Sequence, residues 1–344
     1  MSADPQLKEP AAVPLAPEPP ERRRSSERAG ELANQYGLLV LFAFVWVLFS
    51  VLKPHTFPTV DNAQTIASTQ AVVAVLALAA TLPLIAGQFD VSIGFQLGLS
   101  QTLCAGLMIK NGWPAFPAAA AGTASCVLIG FVNGLLVTKV RLNSFIATLG
   151  VGTVVLGLTQ LYGNDETIAG PLPSSFTNLG LNNVWKVPLP FVYVLVLAIV
   201  LWLVMEYTSW GRECHATGGN PRAALLAGVR TDRVTLQCFV LAGLLSGLAG
   251  VLSVTILGAA APTVGLGELL PAYAAAFLGA TAFRPGRFNS IGTMVAIYVL
   301  ATGVTGLQSL GAKFYVQQLF YGGALLIALT MSALVERRRG VAPS

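Results

Sequence analysis

AVVAVLALAATLPLIAGQFDVSIGFQLGLS, residues 71–100, holds two apolar runs with an aspartate, Asp90, between them. Pro83 and Gly87 interrupt the first run, and Gly94 lets the second begin close to its neighbours. A carboxylate placed there has two physical readings. It titrates against a cation, or it caps the free amides at the start of the second run, around Ser92 and Ile93, where a helix start also favours negative charge. The turn that holds Asp90 has no Lys or Arg of its own, so a salt bridge would have to come from another helix. Capping is the preferred reading.

Outward from this stretch the same composition recurs. Hydrophobic residues make up 54% of the 344 and charged residues only 10%, which excludes a soluble domain. Crossing about 30 Å of hydrocarbon takes roughly 20 helical residues. Runs of that kind fall near 35–53, 64–86, 91–110, 114–138, 143–163, 187–206, 233–257, 267–283, 288–309 and 314–334. The expected fold is therefore all-α, a polytopic membrane protein of about ten transmembrane helices. Residues 1–33, rich in proline and without an apolar run, read as a disordered cytoplasmic tail. The transmembrane domain spans 34–335, with a cytoplasmic loop at 211–233, and 336–344 form a basic cytoplasmic tail.

The basic residues give an independent check, because cytoplasmic loops retain Lys and Arg. With the N-terminus inside, ten spans place every one of the 20 basic residues on the cytoplasmic side except Lys53, Lys110, Lys186 and Lys313. Both termini are expected inside. This asymmetry accounts for the formal charge of +5, so nucleic acid is not an expected partner. Pro83 and Gly87 in one half, and Pro262, Gly265, Gly267 and Pro271 in the other, interrupt helices at comparable places. Two such halves of five spans predict an inverted five-plus-five repeat.

The loop GRECHATGGNPRAALLAGVRTDRV, residues 211–234, carries a complete short-helix signature. Asn220 is placed to cap, Pro221 suits the first helical position, and Gly228 suits a left-handed stop. A helix of about two turns is marginal alone in water, so it is expected to lie against something. Gly218 and Gly219 allow a sharp turn before it, and Arg212, Arg230 and Arg233 flank it. A docking element for a cytoplasmic partner is the functional reading; a capped surface loop is the bland one.

Four stretches together resemble a known family. ATGGNPRAALLAGV, GQFDVSIG, NSFIATLG at 143–150, and LPAYAAAFLGAT at 270–281 followed by GRFNSIGT at 286–293 are similar, in order, to the permease subunit of ribose-type ABC sugar importers, over roughly residues 60–335. The resemblance implies a subunit working as a homodimer or heterodimer in the bacterial inner membrane. It would take a monosaccharide or polyol from an extracytoplasmic binding protein and be driven by cytoplasmic ATPase subunits. Gly218, Gly219, Asn220, Pro221, Ala223, Ala224 and Gly228 match the family's ATPase-contacting segment, and Gly87, Asp90, Ser92 and Gly94 match its signature after the second span. The chain departs from the family pattern at Gln88 and Phe89, where Gly and Ile are common. It also has Leu269 and Pro271 where acidic residues are frequent, with Glu268 one position out of that register.

A sugar crossing hydrocarbon must exchange water hydrogen bonds for protein ones, so a path needs polar groups on apolar helices. The candidates for the helix break and the path are Gly87, Gln88, Asp90, Ser92, Gly94, Gln96, Asn133, Thr148 and Gln308, with Gln70, Gln101, Gln160 and Gln317 as further amides inside spans. Each is as readily explained as interhelical glue. Cys104, Cys126, Cys214 and Cys238, like His55 and His215, show no metal-ligand, redox or nucleophile spacing. No cofactor, metal site or enzymatic activity is expected. No Gly-x-x-x-x-Gly-Lys-Ser/Thr motif occurs, so ATP hydrolysis would belong to another chain. The rival reading is an ion-coupled secondary carrier, in which Asp90 would titrate.

Overall fold

The computed structural model describes residues 21–283 and 286–338. The helices are α1 (Glu21–Leu52), α2 (Val60–Thr69), α3 (Ala71–Ile85), α4 (Ser92–Ile109), α5 (Ala115–Thr138), α6 (Ser144–Gly163), α7 (Ser174–Leu181), α8 (Leu189–Tyr207), α9 (Ser209–Gly219), α10 (Pro221–Leu226), α11 (Thr231–Leu257), α12 (Val264–Gly279), α13 (Ser290–Ser309) and α14 (Tyr315–Arg338). Two-residue strands complete the chain: β1 (Ile168–Ala169) pairs antiparallel with β4 (Ala259–Ala260), and β2 (Asn183–Val184) with β3 (Val187–Pro188). The protein is a helical, polytopic membrane protein.

Among the described residues, six helices are long and apolar enough to span a membrane: α4, α5, α6, α8, α11 and α13. The second expected span, 64–86, is two helices rather than one. α2 and α3 meet at Gln70 with a bend of 42° and count as a seventh span if taken together. Neither Pro nor Gly lies at that bend, so the usual sequence signal for a kink is missing. Shorter apolar helical stretches run over Tyr36–Leu52, Val264–Gly279 and Tyr315–Thr330. α1 starts at Glu21, inside the stretch read as a tail, while residues 1–20 and 339–344 of the two expected tails lie outside the described residues.

At the centre stands α3, buried at every position. Around it pack α8, α11, α12 and α13. α11 lies against α5 and α4 through small residues, which lets backbones approach where lipid offers no hydrophobic drive for association. A β-carbon placed on Gly250 would sit 2.6 Å from the Leu97 carbonyl oxygen, so a larger residue there would force α4 and α11 apart. The fold also pairs two cysteines that sequence spacing hides. The Sγ atoms of Cys214 on α9 and Cys238 on α11 are 3.8 Å apart, although 24 residues separate them.

Candidate functional site

α3 ends where its own sequence stops it. Gly87 takes the left-handed conformation, φ +74°, its N–H donates to the Leu84 carbonyl at 3.0 Å and the Gln88 N–H to the Pro83 carbonyl at 2.9 Å. This is the glycine-closed helix end that satisfies otherwise orphaned carbonyls. The next residues cross to α4 before its first hydrogen-bonded turn, so their amides have no helix carbonyl to reach.

Side chains from elsewhere supply the acceptors. The Phe89 N–H donates to Ser144 Oγ at 3.1 Å, the Asp90 N–H to the Tyr273 hydroxyl at 3.1 Å, and the Val91 N–H to Thr148 Oγ1 at 3.0 Å. Ser144 and Thr148 lie one turn apart on α6, and Tyr273 comes from α12, so three successive amides are held by two other helices. Asp90 Oδ1 then accepts the Ser92 N–H at 3.0 Å, which caps the start of α4.

Asp90 is fully buried, and a small polar network gathers on Ser92. Ser92 Oγ donates to Asp90 Oδ1 at 2.5 Å and accepts from Gln96 Nε2 and from Asn133 Nδ2, each at 2.7 Å. Gln96 and Asn133 are likewise fully buried. The break thus gathers Asp90, Ser92, Gln96, Asn133 and Thr148, drawn from the inter-helix segment, α4, α5 and α6. Gly94 serves the crossing of α4 over α12, where an added β-carbon would lie 2.6 Å from the Gly265 carbonyl oxygen. Gln88 is half-buried beside the break. Gln308 stands elsewhere, exposed in the last turn of α13 and donating to Gln317 Oε1 at 3.3 Å.

The short helix α10 is built as its sequence directs. Asn220 Oδ1 accepts the Ala223 N–H at 3.0 Å, Pro221 occupies the first turn, and Gly228, φ +89°, closes the far end. Its outer face is apolar: Leu225 is 62% and Leu226 90% exposed. Ala223 is exposed with them, whereas Ala224 is buried. α9, just before it, is fixed to the bundle by Trp210 Nε1 donating to Gln237 Oε1 at 2.8 Å. At the end of α9, Gly218 lies directly on the α3 terminus, and a β-carbon on it would come 3.0 Å from Gly87 N and closer still to the Ile85 carbonyl oxygen. Backbone touches backbone between the α9–α10 corner and the break.

Residues 62–329 match the profile of the family described as branched-chain amino acid transport system / permease component. This chain belongs to that family. The permease is 34% identical over 302 residues to the ribose import permease protein RbsC of Bacillus subtilis, covering 88% of this chain and 92% of the relative. It is 29% identical to the D-allose transport system permease protein AlsC of Escherichia coli, covering 88% and 93%, and 29% identical to the L-arabinose permease protein AraH of the same organism, covering 92% and 95%. No solved structure matches. The permease is a multi-pass protein of the bacterial inner membrane and is not itself an enzyme.

Sequence reasoning named the permease's break and its acidic residue but missed Ser144, Tyr273, Leu225 and Leu226. The first two lie inside the quoted stretches NSFIATLG and LPAYAAAFLGAT, whose hydroxyls gain meaning only when the helices meet. The exposed leucines were readable as a consecutive apolar pair on a polar loop, a signal of contact with something outside the chain.

Proposed function

We propose that the permease is the membrane-spanning subunit of an ATP-binding-cassette importer that translocates a monosaccharide or related polyol. An extracytoplasmic binding protein delivers the solute, and separate cytoplasmic subunits hydrolyse ATP. On this reading the long helices, the bent α2–α3 pair and the three shorter apolar stretches together make ten spans in two inverted halves of five. The distribution of Lys and Arg supports both termini being cytoplasmic. The subunit pairs with an identical or related copy, embedded in lipid. The names of the relatives support a sugar as the cargo.

The observation that carries this reading is α10: a capped helix with two exposed leucines, one corner of which rests on the break through Gly218 and Gly87. Docking of the ATPase on the leucine face buries surface that water otherwise solvates, and closure of the ATPase dimer pushes on residues 219–228. Force then reaches the break directly, because Gly218 leaves no side chain to cushion it. Ala223→Glu places a charge on the docking face without touching the core. Uptake of labelled sugar by vesicles holding the permease, ATPase and binding protein should fall to background while the variant remains in the membrane. Normal uptake removes the docking assignment, and wild-type uptake without any ATPase turns the reading into an ion-coupled carrier.

A further inference from the structure

The break holds more acceptors than it has donors to satisfy. Asp90 Oδ2, Gln96 Oε1 and Asn133 Oδ1 are buried with no hydrogen-bond partner. All three side chains use their other polar atom on one group, Ser92 Oγ. The unpaired oxygens therefore surround a single hydroxyl, each one carboxyl or amide width away from it. An acceptor buried without a donor costs roughly 1–3 kcal/mol, and more when charged. Three in one place call for an explanation, and donors arriving from outside supply one.

On the other side of the same segment lies an open groove of about 320 Å³, lined by Phe89, Val91, Phe145, Tyr273 and Phe277 together with leucines of α12 and α14. Phe89 is 40% exposed and stacks on Tyr273, ring centroids 6.1 Å apart, and on Phe277 at 6.2 Å. Phe89 and Val91 line the groove while Asp90, between them, is buried in the polar network. Tyr273 spans both sides, its ring in the groove wall and its hydroxyl on the Asp90 amide. One strand of backbone, held by three single hydrogen bonds, separates an aromatic floor from a group of unpaired acceptors.

We propose that these are two halves of one site for a neutral polyol ring, with segment 89–91 as the partition that moves between them. A sugar ring offers an apolar C–H face, which suits stacked aromatic rings, and a rim of hydroxyl donors, which suit unpaired oxygens. Neither half alone selects that class: the groove would take any apolar group, and the oxygens any donor. When the partition shifts, Phe89 leaves the stack, the ring lies on Tyr273 and Phe277, and its hydroxyls donate to Asp90 Oδ2, Gln96 Oε1 and Asn133 Oδ1. This deepens the importer reading and rests on it.

The test uses Phe89→Cys in the permease, whose own four cysteines are buried, assembled with a cysteine-free ATPase. D-ribose, D-allose, D-fructose and L-arabinose are first tried in turn as cargo of the wild-type importer. The transported sugar should slow labelling of Cys at position 89 by N-ethylmaleimide about tenfold, and a sugar that is not transported should leave it unchanged. In parallel, deoxy analogues of the transported sugar should be discriminated by wild type about tenfold per missing hydroxyl, the equivalent of roughly 1.4 kcal/mol, and less by Gln96→Leu and Asn133→Leu. Labelling that ignores the sugar, or that is blocked with and without it, overturns the site and leaves the groove to lipid or a second copy. Equal discrimination by wild type and both variants overturns the role of the oxygens. If no sugar is carried by wild type under ATP, the importer reading itself has failed.

Discussion

Two breaks in this chain are written in nearly the same letters and finished differently. GQFDVSIG at 87–94 joins α3 to α4, and GRFNSIG at 286–292 leads from the α12 end into α13. Each opens on a glycine in the left-handed region, Gly87 at φ +74° and Gly286 at +83°. Each has a phenylalanine two positions on, then an Asx residue that caps the next helix, Asp90 on the Ser92 amide and Asn289 on the Gly292 amide. The phenylalanines even share a neighbour, since Phe277 stacks on Phe89 and meets Phe288 edge-on at 5.2 Å.

Saturation is what separates them. Asn289 Nδ2 is spread over the carbonyls of Gly279, Ala282 and Arg287, at 3.1 to 3.2 Å, so its amide closes the corner with its own local chain. Asp90 has no donor to give, its oxygen Oδ2 is unpaired, and its segment hangs on hydroxyls from α6 and α12. A self-contained break behaves as an anchor. One that borrows its hydrogen bonds from neighbouring helices can exchange them, and this is the break that Gly218 touches.

The largest effect should follow from stiffening that touch. In Gly218→Ala the new methyl meets the Ile85 carbonyl and Gly87 N, and backbone cannot step aside as a flexible side chain would. ATP-driven uptake should fall at least tenfold while the ATPase still assembles on the permease, as measured by co-purification and flux in the same vesicles. Unimpaired uptake would mean that the corner and the break move independently. A middle-sized effect belongs to the anchor. Asn289→Asp replaces a donor to three carbonyls with an acceptor, which should destabilise the detergent-solubilised protein by about 1–3 kcal/mol. Thermal unfolding reads that loss, and an unchanged midpoint removes the contrast between the two corners.

Much of this was legible in the sequence, and the gaps have physical causes. Apolar runs, Pro83 with Gly87, and the Asn-Pro start with its Gly228 stop are local signals, because each acts on its own backbone within a few residues. The bend at Gln70 carries no such signal. Ser144 and Tyr273 read as ordinary residues of apolar helices because their partners are amides 55 and 183 residues away in sequence. Cys214 and Cys238 meet only because α9 folds back on α11. Gln308 and Asn133 are both amides in spans, yet only Asn133 reaches the break, and no property of the residue type distinguishes them.

The smallest effect is the most informative about the opening aspartate. Asp90→Asn gives the first break the chemistry of the second. Its carbonyl oxygen keeps the Ser92 amide and hydroxyl, and its new N–H₂ stands where Oδ2 lacked a partner, close to the orphaned oxygens of Gln96 and Asn133. If the carboxylate serves as a cap, uptake should stay within about fivefold of wild type, since one neutral hydrogen bond is worth on the order of 1 kcal/mol. Asp90→Leu, of similar size, removes the cap and strands the Ser92 hydroxyl, and should lose most uptake. Equal loss in both variants would restore the charge to the mechanism and, with it, the ion-coupled reading. Retention in Asn alone makes the buried carboxylate a matter of hydrogen-bond geometry, held at the break because one of its oxygens secures the helix, and leaves the reading of cargo to the oxygens of Gln96 and Asn133.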